Sequence, residues 1–251
     1  MAVRNIKLTI AYDGSEYHGW QIQPGLRTIQ GVITEAIQDL LGSEVRLFGA
    51  SRTDAGVSAL GQVGLIQIDS PIPTENLAKA ITDRLPADIA VTEAVDVPEG
   101  FDLMGAVTNK LYRYTIFTGP VRPVLQIRHC WHLPTKLDTT AMAEAAQLLV
   151  GKKDFKSFAS AADKRENTVR TIFRCDIINN EEGEKEWVYV DVEGDGFLYN
   201  MVRNIVGTLV EAGVGRWKPE KINKILEAKD RTTAGPLAPP GGLCLMWIKY
   251  A

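Results

Sequence analysis

The order in which the periodicity of this chain changes restricts its fold more than any other feature. Ile6–Tyr12 alternates Ile6, Leu8 and Ile10 with Lys7, Thr9 and Ala11, the period of two that marks a half-buried strand. Thr28 is placed to cap a helix over Ile29–Leu41. There Ile29, Val32, Ile33, Ala36, Ile37, Leu40 and Leu41 recur at helical spacing until Gly42 stops it. The pattern then predicts strands over Glu44–Gly49 and Gln62–Ile68, a helix opened by Thr74 or Pro73 and running to about Leu85, and a strand over Ile89–Val97. The result is β-α-β-β-α-β.

The second half repeats that order without evident identity to the first. Strands are predicted over Leu111–Thr118, Val169–Ile178 and Trp187–Val192. Helices are predicted over Asp138–Val150, stopped by Gly151, and over the strongly apolar Phe197–Ala212. An added helix runs over Pro219–Lys229, with Pro219 at its first position. Leu243–Tyr250 is apolar on both faces and is read as a central strand. Two such units make an α+β tandem of ferredoxin-like halves, 1–105 and 106–251, with a cleft expected between them.

At 251 residues, 45% hydrophobic, the chain can bury a core of this size without disulfides or metals. Cys130, Cys175 and Cys244 lie far apart and form no CxxC pair, so neither a disulfide framework nor a zinc site is expected. The N-terminus has no signal-peptide core, and no run approaches the roughly 20 apolar residues of a membrane span, so a cytoplasmic setting is expected. The net charge of −3 excludes a polycation overall, but not a basic patch. Charge is in fact uneven. Residues 101–140 carry five Lys/Arg against Asp102 and Asp138, and residues 216–231 carry six against three acids. Residues 181–195 carry seven acids against Lys185. The two basic segments could line an RNA-binding face, although a Lys-rich helix face is usually just solvated.

Three groups of residues have candidate chemistry. In Gly49–Val57, small residues flank Asp54 and Arg52 lies two positions away, so a bulky substrate could approach a carboxylate held ionised. The alternative is a turn whose Asp bonds its own backbone. Arg203 lies at the edge of the wide apolar stripe of the 197–212 helix and needs an anion, either a site carboxylate or a structural partner. Tyr112 and Tyr114 share one face of a strand, where they could stack on a base or fill a core. His129 and His132 are spaced i, i+3, but only His18 could join them, so no metal is expected. Gly194-Asp195-Gly196 is too short for a phosphate loop and is read as a turn.

At Arg52-Thr53-Asp54-Ala55-Gly56-Val57 the chain resembles the TruA-type tRNA pseudouridine synthases. The resemblance continues in family order. It takes in Tyr12–Gln21, Arg27–Gln30, Tyr112-Arg113-Tyr114, Asp154-Phe155 with Ser157-Phe158, Met201–Gly207, Asp230-Arg231 and Ala238–Leu243. It implies isomerisation of uridine to pseudouridine at positions 38, 39 and 40 of the tRNA anticodon arm, without cofactor or metal. It also implies a homodimer crossed by the tRNA, and two α+β halves with a joined sheet. By the same resemblance Asp54 is the catalytic aspartate and Tyr112 packs on the target base. Arg203 pairs with the aspartate, and Arg52 occupies the space of the flipped nucleotide.

The chemistry suits these residue types. A stacked uridine must be flipped out before it can react. Its C1′–N1 bond must break and C1′ must rejoin at C5. One carboxylate starts this by adding to the base, adding to C1′ or removing the C2′ proton, and the sequence leaves all three routes open. The chain departs from the family pattern at Ser51, where Gly is usual, and at Ser58, where His is usual. It departs again over Phe101–Ala106, where Asp102 and Met104 replace a usual His and Arg. Those departures bear on tRNA affinity and target choice. They are also the only support for a rival function, a non-catalytic tRNA-binding chaperone. A small-molecule nucleosidase is a third reading, separable by testing free uridine.

Overall fold

The computed structural model describes residues 3–179 and 185–251, and these divide into two compact units. The acids Glu181, Glu182 and Glu184 of the acidic segment lie outside the described residues.

The first unit starts with strand β1 (Arg4–Tyr12), in which Ile6, Leu8 and Ile10 are fully buried, as the alternation requires. Helix α1 (Ile29–Leu41) has the predicted bounds. Thr28 Oγ1 accepts from Gly31 N at 3.3 Å, and Gly42 ends the helix in the left-handed region. Its Ile29, Ile33 and Ile37 are fully buried, each worth roughly 1.5–3 kcal/mol of transfer free energy. The strand expected over Glu44–Gly49 shrinks to β2 (Phe48–Gly49). The cause lies on α1. Gln30 Nε2 donates to Leu47 O at 2.7 Å and Gln38 Nε2 to Val45 O at 3.4 Å, so glutamine side chains take carbonyls that a sheet ladder would have used.

Strand β3 (Ser58–Ile68) begins four residues earlier than predicted, because Ala59 already pairs with Tyr12. Helix α2 (Thr74–Thr82) is shorter than predicted, and β4 (Ile89–Val97) has the predicted bounds. Strands β4, β1 and β3 are neighbours in that order, all antiparallel.

The second unit contains β5 (Val107–Phe117), β6 (Trp131–His132) and helix α3 (Thr139–Gln147), which Asp138 caps through Ala141 N. The helix stops at Gln147, short of the predicted Val150, so Gly151 does not end it. Gly151 instead opens β7 (Gly151–Asp154), a strand of Gly, two lysines and Asp with no apolar period to announce it. Strands β8 (Val169–Asn179) and β9 (Trp187–Gly194) follow, and the sheet runs β5-β9-β8-β7, antiparallel throughout.

The apolar helix expected from Phe197 starts later, as α4 (Met201–Gly213). Asn200 takes φ 61°, which a helix interior forbids, and a turn closed by Met201 N donating to Leu198 O precedes the helix instead. Helix α5 (Lys221–Ala228) likewise starts after Pro219. The acids of β9 are engaged in ion pairs across the sheet. Asp191 takes a two-pronged bond from Arg113 at 2.7 and 2.8 Å, and Glu193 accepts from Arg174 at 2.7 Å.

The last strand, β10 (Leu243–Tyr250), has the predicted bounds but belongs to the first unit from Cys244 onward. It runs parallel to β3, with Cys244 opposite Ser58 and Leu245 opposite Ala59. The units therefore comprise 1–108 with 244–251, and 109–243, where the sequence division placed the whole C-terminal strand with the second half. The fold is mixed α+β with mainly antiparallel strands, as expected. No helix of the described residues is long and apolar enough to cross a membrane.

Candidate active site

The Asp54 loop leaves β2 at Ala50 and enters β3 at Ser58. Its first part is fixed by Gln62, which is fully buried. Gln62 Nε2 donates to Ser51 O at 2.8 Å, and its Oε1 accepts from Ser51 N at 3.2 Å. Thr53 is buried, with its hydroxyl 2.8 Å from the Tyr12 phenol. Asp54 itself is half-buried and Arg52 is exposed. Val57 N donates to Asp54 O at 3.1 Å and closes the turn.

A second segment, 13–20, lies against this loop. Trp20 N donates to Thr53 O at 3.0 Å, and Gly56 N donates to Tyr17 O at 3.2 Å. Close approach requires Gly19: its φ is +85°, and a Cβ there would stand 2.7 Å from Thr53 O. Tyr17 is anchored in turn. Its phenol donates to Asp88 Oδ1 at 2.8 Å and accepts from Arg27 Nη2 at 3.1 Å. Burial, aided by the Asp88 carboxylate, pushes that phenol up to about 12. Asp54 is thus set on a loop whose neighbours on both sides are bonded in place, the support a reacting side chain needs.

In the second unit, Tyr112 is buried on β5 with its ring edge-on to Phe197 at 5.2 Å. Tyr114, two residues on, is a core residue: fully buried, its hydroxyl donates to Pro239 O at 2.7 Å. Burial raises its phenol, and Arg203 opposes the shift. Arg203 is the one residue of α4 that is not buried. Its Nε donates to Ala238 O at 2.8 Å, and its Nη1 to Asn200 Oδ1 at 3.1 Å. Arg203 and Tyr114 therefore hold two consecutive carbonyls, those of Ala238 and Pro239.

Asp54 and Arg52 thus lie in the first unit, and Tyr112 and Arg203 in the second. Sequence reasoning missed the Tyr12–Thr53–Gln62 clamp, the Tyr17 anchor and the bonds from 238–239. Their partners are distant in sequence and share no period. The Phe101–Ala106 segment is an Asp-capped turn. Asp102 Oδ1 accepts from Met104 N at 3.0 Å and Gly105 N at 2.7 Å, which holds its carboxyl below the usual range. Met104 is 60% exposed. His132 Nε2 bonds Gly119 O at 2.9 Å, and among the described residues no group of three His, Cys, Asp or Glu could hold a metal ion.

Residues 8–103 and 145–251 match the family model described as tRNA pseudouridine synthase. The chain is 41% identical over 248 residues to tRNA pseudouridine synthase A of Caldicellulosiruptor saccharolyticus, covering 99% of this chain and 100% of that one. It is 44% identical over 246 residues to the protein of that name from Syntrophotalea carbinolica, covering 98% and 96%. For the Geobacter sp. strain M21 protein of that name the identity is 42% over 249 residues, covering 99% of each.

Proposed function

The chain belongs to the tRNA pseudouridine synthase family, and on that premise we propose that Asp54 is the carboxylate with which it isomerises uridine to pseudouridine at positions 38, 39 and 40 of the tRNA anticodon arm. The observation that carries this reading is the Asp54 loop: a family-matched carboxylate on a backbone bonded at Ser51, Thr53 and Gly56. Such support lets a side chain meet a flipped base without first being ordered.

Each other residue has a role its surroundings support. Tyr112 is held edge-on by Phe197 and offers a fixed ring for the detached base. Arg203 is anchored through Nε and keeps a positive charge that favours the ionised aspartate once water is excluded. Arg52, exposed beside Asp54, fills the space the target nucleotide leaves.

The reaction is an isomerisation. One C–N glycosidic bond is exchanged for one C–C bond, N1 gains a proton and C5 loses one. It therefore needs no oxidant and no group donor. We assign the working enzyme as a cytoplasmic homodimer with tRNA as its partner. Tritium release from [5-³H]uridine-labelled tRNA tests the activity, and absence of release would refute it. A solution mass near 27.6 kDa, that of one chain, would refute the dimer.

A further inference from the structure

The bend that leads into α4 is tied down at every residue, yet it leaves one aromatic ring unused. Arg165 Nη1 donates to Phe197 O at 3.1 Å, and Met201 N donates to Leu198 O at 3.1 Å. Tyr199 is held on both sides of its backbone. Its N donates to Asp163 Oδ2 at 2.8 Å, and its O accepts from Ser160 N at 2.8 Å. Asn200, at φ 61°, accepts from Arg203 Nη1 at 3.1 Å through Oδ1. The Tyr199 side chain takes no part in this. It is 45% exposed, and among the described residues its ring meets no other aromatic ring or cation and its hydroxyl makes no hydrogen bond.

The clamp on Tyr199 is permanent at working pH. The Asp163 side chain is buried, and it takes Arg165 Nη2 at 2.6 Å. The Arg165 hydrogen bond, before any other cause, holds that carboxyl well below the usual carboxylate range. A tyrosine on a fixed backbone has only two side-chain torsions left to order, so a flat ligand can use its ring at small entropic cost. Single exposed aromatics are commonplace. This one is set apart by its neighbours. Two residues before it, the Phe197 ring meets Tyr112, and one residue after it, Asn200 meets Arg203.

We propose that the Tyr199 ring is a stacking platform for a base of the substrate RNA next to the target uridine. This rests on the tRNA reading above, in which Tyr112 and Arg203 attend the target base. Stacking suits that substrate. Every base has a π face, so a ring accepts whichever base stands beside the target, where a hydrogen bond to a base edge would select one. An enzyme that acts at three successive positions meets different neighbours at each.

The test is the affinity for an unmodified tRNA transcript, measured against salt. Tyr199→Ala and Tyr199→Leu should weaken binding by about five- to hundredfold, the loss of one stacked base. Tyr199→Phe and Tyr199→Trp should stay within about twofold of wild type, because each keeps a π face. Leu keeps apolar bulk without that face, so it separates stacking from plain burial. The slope of log K against log salt should be the same in all five proteins, since an uncharged ring neutralises no phosphate. The ring is partly exposed and bonds nothing, so melting temperatures should hold.

Wild-type affinity in Tyr199→Ala would overturn the platform. So would a loss in Tyr199→Phe as large as that in Tyr199→Ala, which would put the contact on the hydroxyl. A shallower salt slope in Tyr199→Ala would also overturn it, by showing that a phosphate contact was lost instead. Wild-type tritium release is measured alongside. Its absence refutes the activity and the platform with it, whereas its presence with an unaffected Tyr199→Ala refutes only the platform.

Discussion

The Tyr12 phenol and the Thr53 hydroxyl lie 2.8 Å apart, buried, and tie the end of β1 to the residue before Asp54. The bond spans 41 positions of sequence. It makes the Asp54 loop an extension of the sheet rather than a free connection.

Tyr12→Phe and Thr53→Val should each destabilise the fold by about 1–3 kcal/mol, because each leaves a buried hydroxyl without that partner. The double variant should lose less than the sum, with a coupling of about 1 kcal/mol. Urea unfolding of the four proteins measures it. Strict additivity would mean that the two hydroxyls do not support each other.

Asp54→Asn should reduce tritium release below a few per cent of wild type while tRNA binding stays nearly intact. An amide can act neither as the nucleophile nor as the base. A variant that keeps substantial turnover would remove Asp54 from the catalytic role.

Arg203→Met should lower the rate by two orders of magnitude or more and move the acid limb of the pH–rate profile upward. A carboxylate deprived of its cation holds its proton to higher pH. The variant also frees Ala238 O, at a cost of about 1–3 kcal/mol. Rate measurements well below its melting temperature separate the two effects. An unmoved acid limb would disconnect Arg203 from the Asp54 charge.

Met104→Arg should leave the melting temperature nearly unchanged, because Met104 is exposed and Asp102 fixes the turn through backbone N–H groups. The added charge should tighten tRNA binding and steepen the salt slope by roughly 0.7–0.9. An unchanged slope would mean that this turn does not meet phosphate.

Local periodicity predicted what local forces decide. The bounds of α1, β4 and β10 follow from an apolar period and its stop signals, and the structure keeps all three. Errors cluster where a distant partner overrides the period. Val45 and Leu47 alternate as a strand should, yet their carbonyls go to Gln38 and Gln30. Gln62 looks like a strand start but sits inside β3, which Tyr12 and Cys244 extend back to Ser58. In the candidate site, Asp54, Tyr112 and Arg203 were legible as residue types in a family pattern. The partners of Arg203 were not, because a helix pattern cannot show that Ala238 returns beside it.

The parallel pairing of β10 with β3 sets a timetable for synthesis. Residues 3–108 are made early, yet the start of β3 waits for Cys244 and Leu245 before its ladder there can form. At about 5–20 residues per second, translating 109–243 takes roughly 7–27 s. During that interval the nascent chain presents a strand edge open to other chains. Emergence of residues 244–251 from the ribosome, rather than completion of the first hundred, is then the event that closes the first unit. Chains stalled short of Leu243 should be the ones that chaperones must hold.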